Sequence, residues 1–154
     1  MSSSITKKTL TISINETIDI GPTGDYSNKT KFTISGIGEV SKRILTVPTH
    51  QVSVLALSSS AGAGTFASGS LKYARITNLD NENYVRLTFM SSSAGSVKNK
   101  SVFKLDPLRS FIVTNDAYSG SGVGTTFDTF QSFTDIKAKS NSSSCDVEIY
   151  IASK

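Results

Sequence analysis

Residues 71–90 constrain the fold of this chain more than any other stretch of its sequence. Two runs rich in β-branched and aromatic residues flank the polar segment 80–83. Such runs around a short Asn/Asp cluster are typical of a β-hairpin. The sequence therefore predicts a hairpin over residues 71–90, with Leu79 opposite Tyr84.

Alternation along this hairpin sorts its side chains into two faces, because successive residues of a strand point to opposite sides. One face is apolar and is expected to join a core; it consists of Ala74, Ile76, Val85, Leu87 and Phe89. The other is basic and aromatic, and it consists of Tyr73, Arg75, Thr77, Tyr84, Arg86 and Thr88. The second face is either an ordinary exposed sheet surface or a protein-contact face made by Tyr73, Arg75, Tyr84 and Arg86, since Tyr and Arg are enriched at interfaces.

The rest of the chain also has the composition of strands and loops. The whole chain contains 27 Ser and 17 Thr, whereas the residues that fill helices are scarce. Between Thr9 and Ile20 the apolar residues occupy even positions, interrupted by Glu16. This pattern predicts a long strand with one buried face, or two strands with a bulge near Asn15 and Glu16. The apolar run 51–57 is typical of a strand buried on both faces.

The sequence from Ile136 to Ala152 predicts a second hairpin. Its register sets Lys137 opposite Glu148 and Lys139 opposite Asp146, so that charge and apolar pattern agree.

Two smaller features accompany this hairpin. Cys145 has the parity of Val147 and is expected to face the core as a small hydrophobe. The segment Asp106-Pro-Leu-Arg109 predicts a type I turn with Pro at its second position.

These elements predict an all-β fold, an antiparallel β-sandwich of jelly-roll type with roughly eight to ten strands. Residues 9–154 are expected to form a single domain. Residues 1–8 are expected to form a flexible N-terminal arm in which Lys7 and Lys8 are candidate docking residues.

Catalytic and cofactor chemistry finds little support in the sequence, so no enzyme activity and no cofactor are expected. His50 is the only histidine and Cys145 the only cysteine, which excludes a His-rich metal site and an intramolecular disulfide. No Gly-x-Ser-x-Gly sequence stands between a strand and a helix.

Charge and hydropathy set the expected partners. The net charge of +4 comes from scattered lysines, so no specific nucleic-acid binding is expected. No signal peptide and no apolar run of membrane-spanning length occur in the sequence, which predicts a protein kept in a cytoplasm or assembled there into something larger.

Three strings are distinctive: Arg75-Ile-Thr-Asn-Leu-Asp-Asn-Glu-Asn-Tyr-Val-Arg-Leu87, Val102-Phe-Lys-Leu-Asp-Pro-Leu-Arg-Ser-Phe-Ile-Val113 and the closing Ile136-Lys-Ala-Lys-Ser140. They resemble small structural proteins of tailed bacteriophages, particularly of marine and cyanobacterial phages. The resemblance covers about the C-terminal half. It implies a non-enzymatic virion subunit, a capsid decoration (cement) protein or a neck or tail accessory protein, assembled in the host cytoplasm. It also implies contact with the major capsid protein or another virion protein and a homo-oligomer, with a trimer as one possibility.

A different class of function stays open beside the virion subunit. Loops rich in Ser and Gly, at residues 58–70, 91–99 and 119–126, would form the site of a carbohydrate- or receptor-binding β-sandwich, with Phe66 and Tyr118 as aromatic contacts.

Overall fold

The computed structural model describes residues 6–58, 62, 65–67, 69–93, 96–114 and 133–154, and none of these residues is in an α-helix. A short 3-10 turn spans Gly21–Thr23. The strands are β1 (Lys8–Asp19), β2 (Asp25–Ile37), β3 (Glu39–Val47), β4 (Val52–Ser58), β5 (Thr65–Ala67), β6 (Leu71–Asn78), β7 (Val85–Ser93), β8 (Ser96–Leu105), β9 (Ser110–Thr114), β10 (Asp135–Ser140) and β11 (Cys145–Ser153).

Two packed sheets form a β-sandwich, which confirms the predicted all-β fold. One sheet has four strands in the order β3-β11-β6-β9, and the other has five in the order β5-β4-β10-β7-β8. Neighbouring strands are antiparallel except for β4 and β5, which are parallel. In the described part of the chain no helix is long and apolar enough to cross a membrane.

The core lies between the inner faces of the two sheets. Both sheets contribute fully buried side chains, the largest of which are Leu55, Leu71, Ile76, Leu87, Ile136, Ile149, Ile151, Val47, Val54, Val85 and Val147. In β4 the consecutive residues Val54 and Leu55 are both buried, but they lie at a register irregularity, where Leu55 pairs with Ile136 and Ser53 with Lys137. Ser53 is exposed, so the strand is not buried on both faces throughout, contrary to the prediction from the apolar run. Burial of these branched side chains is the main stabilising contribution to the fold.

The predicted hairpin over residues 71–90 is wrong, because its two strands belong to different sheets. β6 pairs with β11 and β9, whereas β7 pairs with β10 and β8. Residues 79–84 therefore form a largely exposed arch that connects one sheet to the other. The predicted apolar face is nevertheless correct, since its members are all buried: Ala74, Ile76, Val85, Leu87 and Phe89.

The closing hairpin is wrong for the same reason. β10 lies in the five-stranded sheet and β11 in the four-stranded sheet. Lys137 is paired with Thr88 and Lys139 with Arg86, so neither lysine faces the predicted carboxylate. A hairpin and an arch bury the same alternate residues, and alternation alone does not distinguish them.

Two local predictions have opposite outcomes. Leu108 has a φ of 57°, which excludes a type I turn over residues 106–109, because that turn needs a negative φ at its third position. Cys145 is buried in the core, as its parity predicted.

A two-stranded ribbon formed by β1 and β2, here called the projecting hairpin, stands apart from both sheets. Its register pairs Leu10 with Ile34 and Ile12 with Phe32, which puts these residues on one face. At the base, this face packs against Tyr73, Tyr150 and Ala152 of the four-stranded sheet.

The predicted buried face of β1 is therefore correct only at its base. Ile14 and Ile18 continue the same face but are exposed. β1 is also continuous at Asn15 and Glu16, and its one register irregularity lies between Lys8 and Leu10.

Candidate functional site

The four residues predicted to form one contact face lie on opposite sides of the sandwich. Tyr73 and Arg75 belong to β6, and Arg86 belongs to β7 with Tyr84 just before it. Their side chains point away from the core, as predicted, but the arch between β6 and β7 sends the two pairs to different outer faces. The structure therefore does not bring Tyr73 and Arg75 together with Tyr84 and Arg86.

On the four-stranded sheet, Arg75 takes part in an ion-pair cluster centred on Glu148. Lys42 Nζ lies 2.9 Å from Glu148 Oε2, and Arg75 Nη2 lies 2.6 Å from Oε1. The hydrogen bond from Lys42, with that from Arg75, lowers the pKa of Glu148 below its ordinary value. Arg75 thus has a structural ion pair that ties β6, β11 and β3 together.

Tyr73 is covered by the base of the projecting hairpin. It is buried, and its ring lies edge-on to the ring of Tyr150 with 6.0 Å between centroids. Burial raises the pKa of the Tyr73 phenol above its ordinary value. A buried side chain of this kind contributes to packing, so Tyr73 is not available as an exposed contact residue.

The outer face of the five-stranded sheet carries a row of three cations, here called the basic row. Lys139, Arg86 and Lys104 are directly opposite one another on β10, β7 and β8. Adjacent strands are about 4.8 Å apart, and like charges directly opposite one another are destabilising. The basic row is therefore a feature that the fold tolerates at a cost.

One member of the basic row is neutralised within the chain. Lys104 Nζ lies 2.7 Å from Asp106 Oδ1 and 4.8 Å from the ring centroid of Tyr84. The hydrogen bond to Asp106 raises the pKa of Lys104. Within the described residues, Arg86 and Lys139 have no such carboxylate partner, and both are exposed.

The unpaired cations line a shallow concavity at the end of the sheet. Its walls are formed by Tyr84, Arg86, Lys139, Ser140 and Asn141. Lys137, two residues before Lys139 on the same face of β10, adds a further positive charge beside it. The Arg86 guanidinium and the Lys139 ammonium, beside the Tyr84 ring, suit carboxylate or phosphate groups of a partner.

Asn78 is a structural residue near this surface that the sequence patterns did not single out. Its side chain is fully buried, and Nδ2 donates to the carbonyl oxygens of Asn83 at 2.8 Å and of Leu105 and Asp106 at 3.3 Å. Its Oδ1 accepts the Asp80 backbone N–H at 3.1 Å. The available signal was its parity, because Asn78 continues the inward series of Ala74 and Ile76 and is polar.

Asp80 completes the arch. Its Oδ1 accepts the backbone N–H groups of Asn83 at 2.6 Å and Glu82 at 2.8 Å. These two hydrogen bonds lower the pKa of the Asp80 carboxyl. The Asp80 carboxylate therefore shapes the connection between the sheets.

The two residues considered for chemistry, His50 and Cys145, differ in their exposure to solvent. His50 lies in an exposed bend between β3 and β4, and Cys145 is buried beside Ser140, with 2.9 Å between Sγ and Oγ. Burial raises the pKa of the Cys145 thiol. Among the described residues, no group of three His, Cys, Asp or Glu side chains is placed to hold a metal ion.

Several predicted contact residues lie partly or wholly outside the described residues. Tyr118 and loop 119–126 do so entirely, and so do the first five residues of the N-terminal arm. Lys7 and Lys8 are exposed, and Lys8 is the first residue of β1. Phe66 lies in β5, where the Arg43 guanidinium is 5.9 Å from its ring centroid.

Comparisons with protein-family models, with curated proteins and with solved structures found no match to this chain.

Proposed function

We propose that this chain is a non-enzymatic structural subunit that attaches to an acidic protein surface of a larger assembly. The observation that carries the proposal is the basic row, in which Lys139, Arg86 and Lys104 stand side by side on three strands. A partner that supplies carboxylates would relieve the repulsion within this row. Attachment then converts an unfavourable feature of the free subunit into a favourable contact.

An acidic protein suits this face better than a nucleic acid does. Lys104 is already paired with Asp106, which leaves Arg86, Lys139 and the neighbouring Lys137 to meet a partner. Nucleic-acid binding usually relies on about six to ten phosphate contacts along an extended path. Arg86 and Tyr84, which line the same concavity, are instead residue types that are enriched at protein interfaces.

The assembly we favour is the capsid of a tailed bacteriophage. The resemblance of residues 75–87 and 102–113 to small structural proteins of tailed phages supports this choice, and a β-sandwich suits such a role. The partner would be the major capsid protein, the subunit would act as a decoration (cement) protein in the virion, and copies would associate into a homo-oligomer. A neck or tail accessory role is the alternative within the same class.

The test is reversal of the two unpaired cations. Shells assembled from the cognate major capsid protein are incubated with Arg86→Glu/Lys139→Glu, and occupancy is measured by quantitative mass spectrometry. We expect occupancy to fall at least tenfold, because two like-charge contacts with an acidic surface replace two attractive ones. The matched control is Lys29→Glu/Lys31→Glu, which changes the charge equally on the exposed polar face of the projecting hairpin.

Three results would contradict the proposal. Wild-type occupancy by the Arg86/Lys139 variant would reject the basic row as the contact, and failure of the wild-type chain to bind would reject the shell as the partner. Tight binding of the wild-type chain to duplex DNA, with a steep dependence on salt, would replace the acidic protein by a nucleic acid.

A further inference from the structure

The projecting hairpin leaves half of one apolar face uncovered. Beyond its base, Ile14 is 39% exposed, Ile18 63% and Tyr26 66%. Glu16 lies between the two isoleucines on the same face and accepts a hydrogen bond of 3.0 Å from Asn28 Nδ2. The residues Ile14, Glu16 and Ile18, here called the hairpin strip, therefore present an apolar, acidic and apolar side chain in succession.

A strip with the opposite charge lies on β3, an edge strand of the four-stranded sheet. Val40 is 53% exposed and Ile44 57%. Between them, the Lys42 side chain is 60% exposed. These three residues, here called the edge strip, face outward because their cross-strand neighbours on β11 are Ala152, Tyr150 and Glu148.

The two strips match in length, pattern and charge. Each has three side chains at alternate positions of a strand, which span about 13 Å at about 3.3 Å per residue. Each has a charged residue flanked by two branched apolar residues, and the charges are opposite: Glu16 on one, Lys42 on the other. Glu16 lies against Lys42 whether the two strips align in parallel or antiparallel, because the charged residue is the central one of the three in each strip.

The base of the projecting hairpin shows that its apolar face fits this outer surface. Leu10 and Ile12, which precede the hairpin strip on the same face, pack with Tyr150 and Ala152 of β11. Ala152 is directly opposite Val40, and Tyr150 is directly opposite Lys42. The edge strip therefore borders the area that the hairpin already covers within one molecule.

Among the described residues of a single chain, both strips stay exposed. Within one chain, Ile14 and Ile18 stay exposed while Val40 and Ile44 also stay exposed. A second copy of this chain carries both strips, so it supplies the complementary strip for each of them at once.

We infer that the hairpin strip of one copy docks onto the edge strip of a second copy of this chain, with Glu16 against Lys42. The contact joins two different patches, so it produces a reciprocal pair, a closed ring or an open chain of copies. Lys42 can contact the carboxylates of both Glu148 and Glu16, because Glu148 is also paired with Arg75 at 2.6 Å. This association uses a surface separate from the basic row and is independent of what the basic row binds.

Charge reversal and its rescue test the contact. The full chain is analysed by size-exclusion chromatography with light scattering over a series of concentrations. We expect the wild-type chain to form oligomers and Glu16→Lys to raise the apparent dissociation constant about tenfold or more, since like charges across an interface are costly. The double variant Glu16→Lys/Lys42→Glu is expected to recover at least half of the lost affinity, when affinity is expressed as the logarithm of the dissociation constant.

The matched control is Asp25→Lys, an equal change of charge on the opposite face of the same hairpin, which is expected to leave the dissociation constant within twofold of wild type. Circular dichroism confirms that each variant is folded. A wild-type chain that stays monomeric, a Glu16→Lys chain that associates like wild type, or a double variant no better than Glu16→Lys would each overturn the inference.

Discussion

At the scale of single residues, Asn78 shows how a polar side chain in a core can fix a connection. Its amide is fully buried and bonds to three backbone carbonyls that come from the arch and from the end of β8. Buried carbonyl groups need partners, and one side chain here supplies them for two segments at once. Asn78 thereby ties the end of β6 to the far end of the arch and to the end of β8.

Replacement of Asn78 by Ala is expected to destabilise the protein by about 1–3 kcal/mol, because buried carbonyl oxygens lose their hydrogen-bond donor. The measurement is urea unfolding followed by far-UV circular dichroism. The control is Asn81→Ala, an exposed position in the same arch, for which a change within about 0.5 kcal/mol is expected. Equal destabilisation by the two substitutions would show that Asn78 does not hold the arch.

At the scale of elements, the sequence predicted which residues of each strand face inward but not which strands pair. Ala74 and Ile76 face the core because alternation requires it, whether β6 and β7 form a hairpin or an arch. Pairing depends on contacts with β10 and β11, which lie far away in the sequence. The inward Asn78 beside a turn was the local sign of an arch, and it became interpretable only with its partners in place.

The candidate surface was predictable to a similar extent. The outward direction of Arg75 and Arg86 followed from parity, and both side chains do lie on outer faces. The separation of Arg75 and Arg86 onto different outer faces is a consequence of the arch. The basic row is a consequence of the pairing of β7 with β10 and β8. No local pattern contains Lys139 opposite Arg86, because the two residues are more than fifty positions apart.

The projecting hairpin is expected to exchange its backbone amide hydrogens much faster than the sandwich does. Few of its side chains are buried beyond Ile12, so local opening exposes little apolar surface. The measurement is hydrogen–deuterium exchange with mass spectrometry on the Glu16→Lys variant, in which the proposed association is removed. We expect peptides from residues 13–31 to exchange at least tenfold faster than peptides from β11, and equal protection would contradict this expectation.

At the scale of the whole molecule, most strand pairs join segments that are distant in the sequence. Only β1 with β2 and β7 with β8 pair as neighbours in sequence by an antiparallel hairpin among the described strands. The central strands β10 and β11 instead pair with β4, β7, β3 and β6. Closing such long loops costs conformational entropy before the core contributes its stabilisation.

We therefore expect the chain to fold slowly for its size, with relaxation times of milliseconds to seconds, as is typical of β-sandwiches. The chain has no Trp and five Tyr, so stopped-flow circular dichroism or Tyr fluorescence is the appropriate measurement. Ile18→Ala, in the exposed part of the projecting hairpin, serves as a control and should leave the folding rate unchanged. Relaxation in microseconds would contradict the expectation.

The central position of β10 and β11 also orders events during translation. β10 separates β4 from β7, and β11 separates β3 from β6, so the strands on either side of each gap leave the ribosome first. Until residues 135–153 have been synthesised, each sheet of the nascent chain lacks its central strand, β10 or β11. The apolar faces of the strands already made then stay exposed to solvent. A stall or a premature stop codon before residue 135 would therefore release a substrate for chaperones and proteases rather than a smaller folded protein.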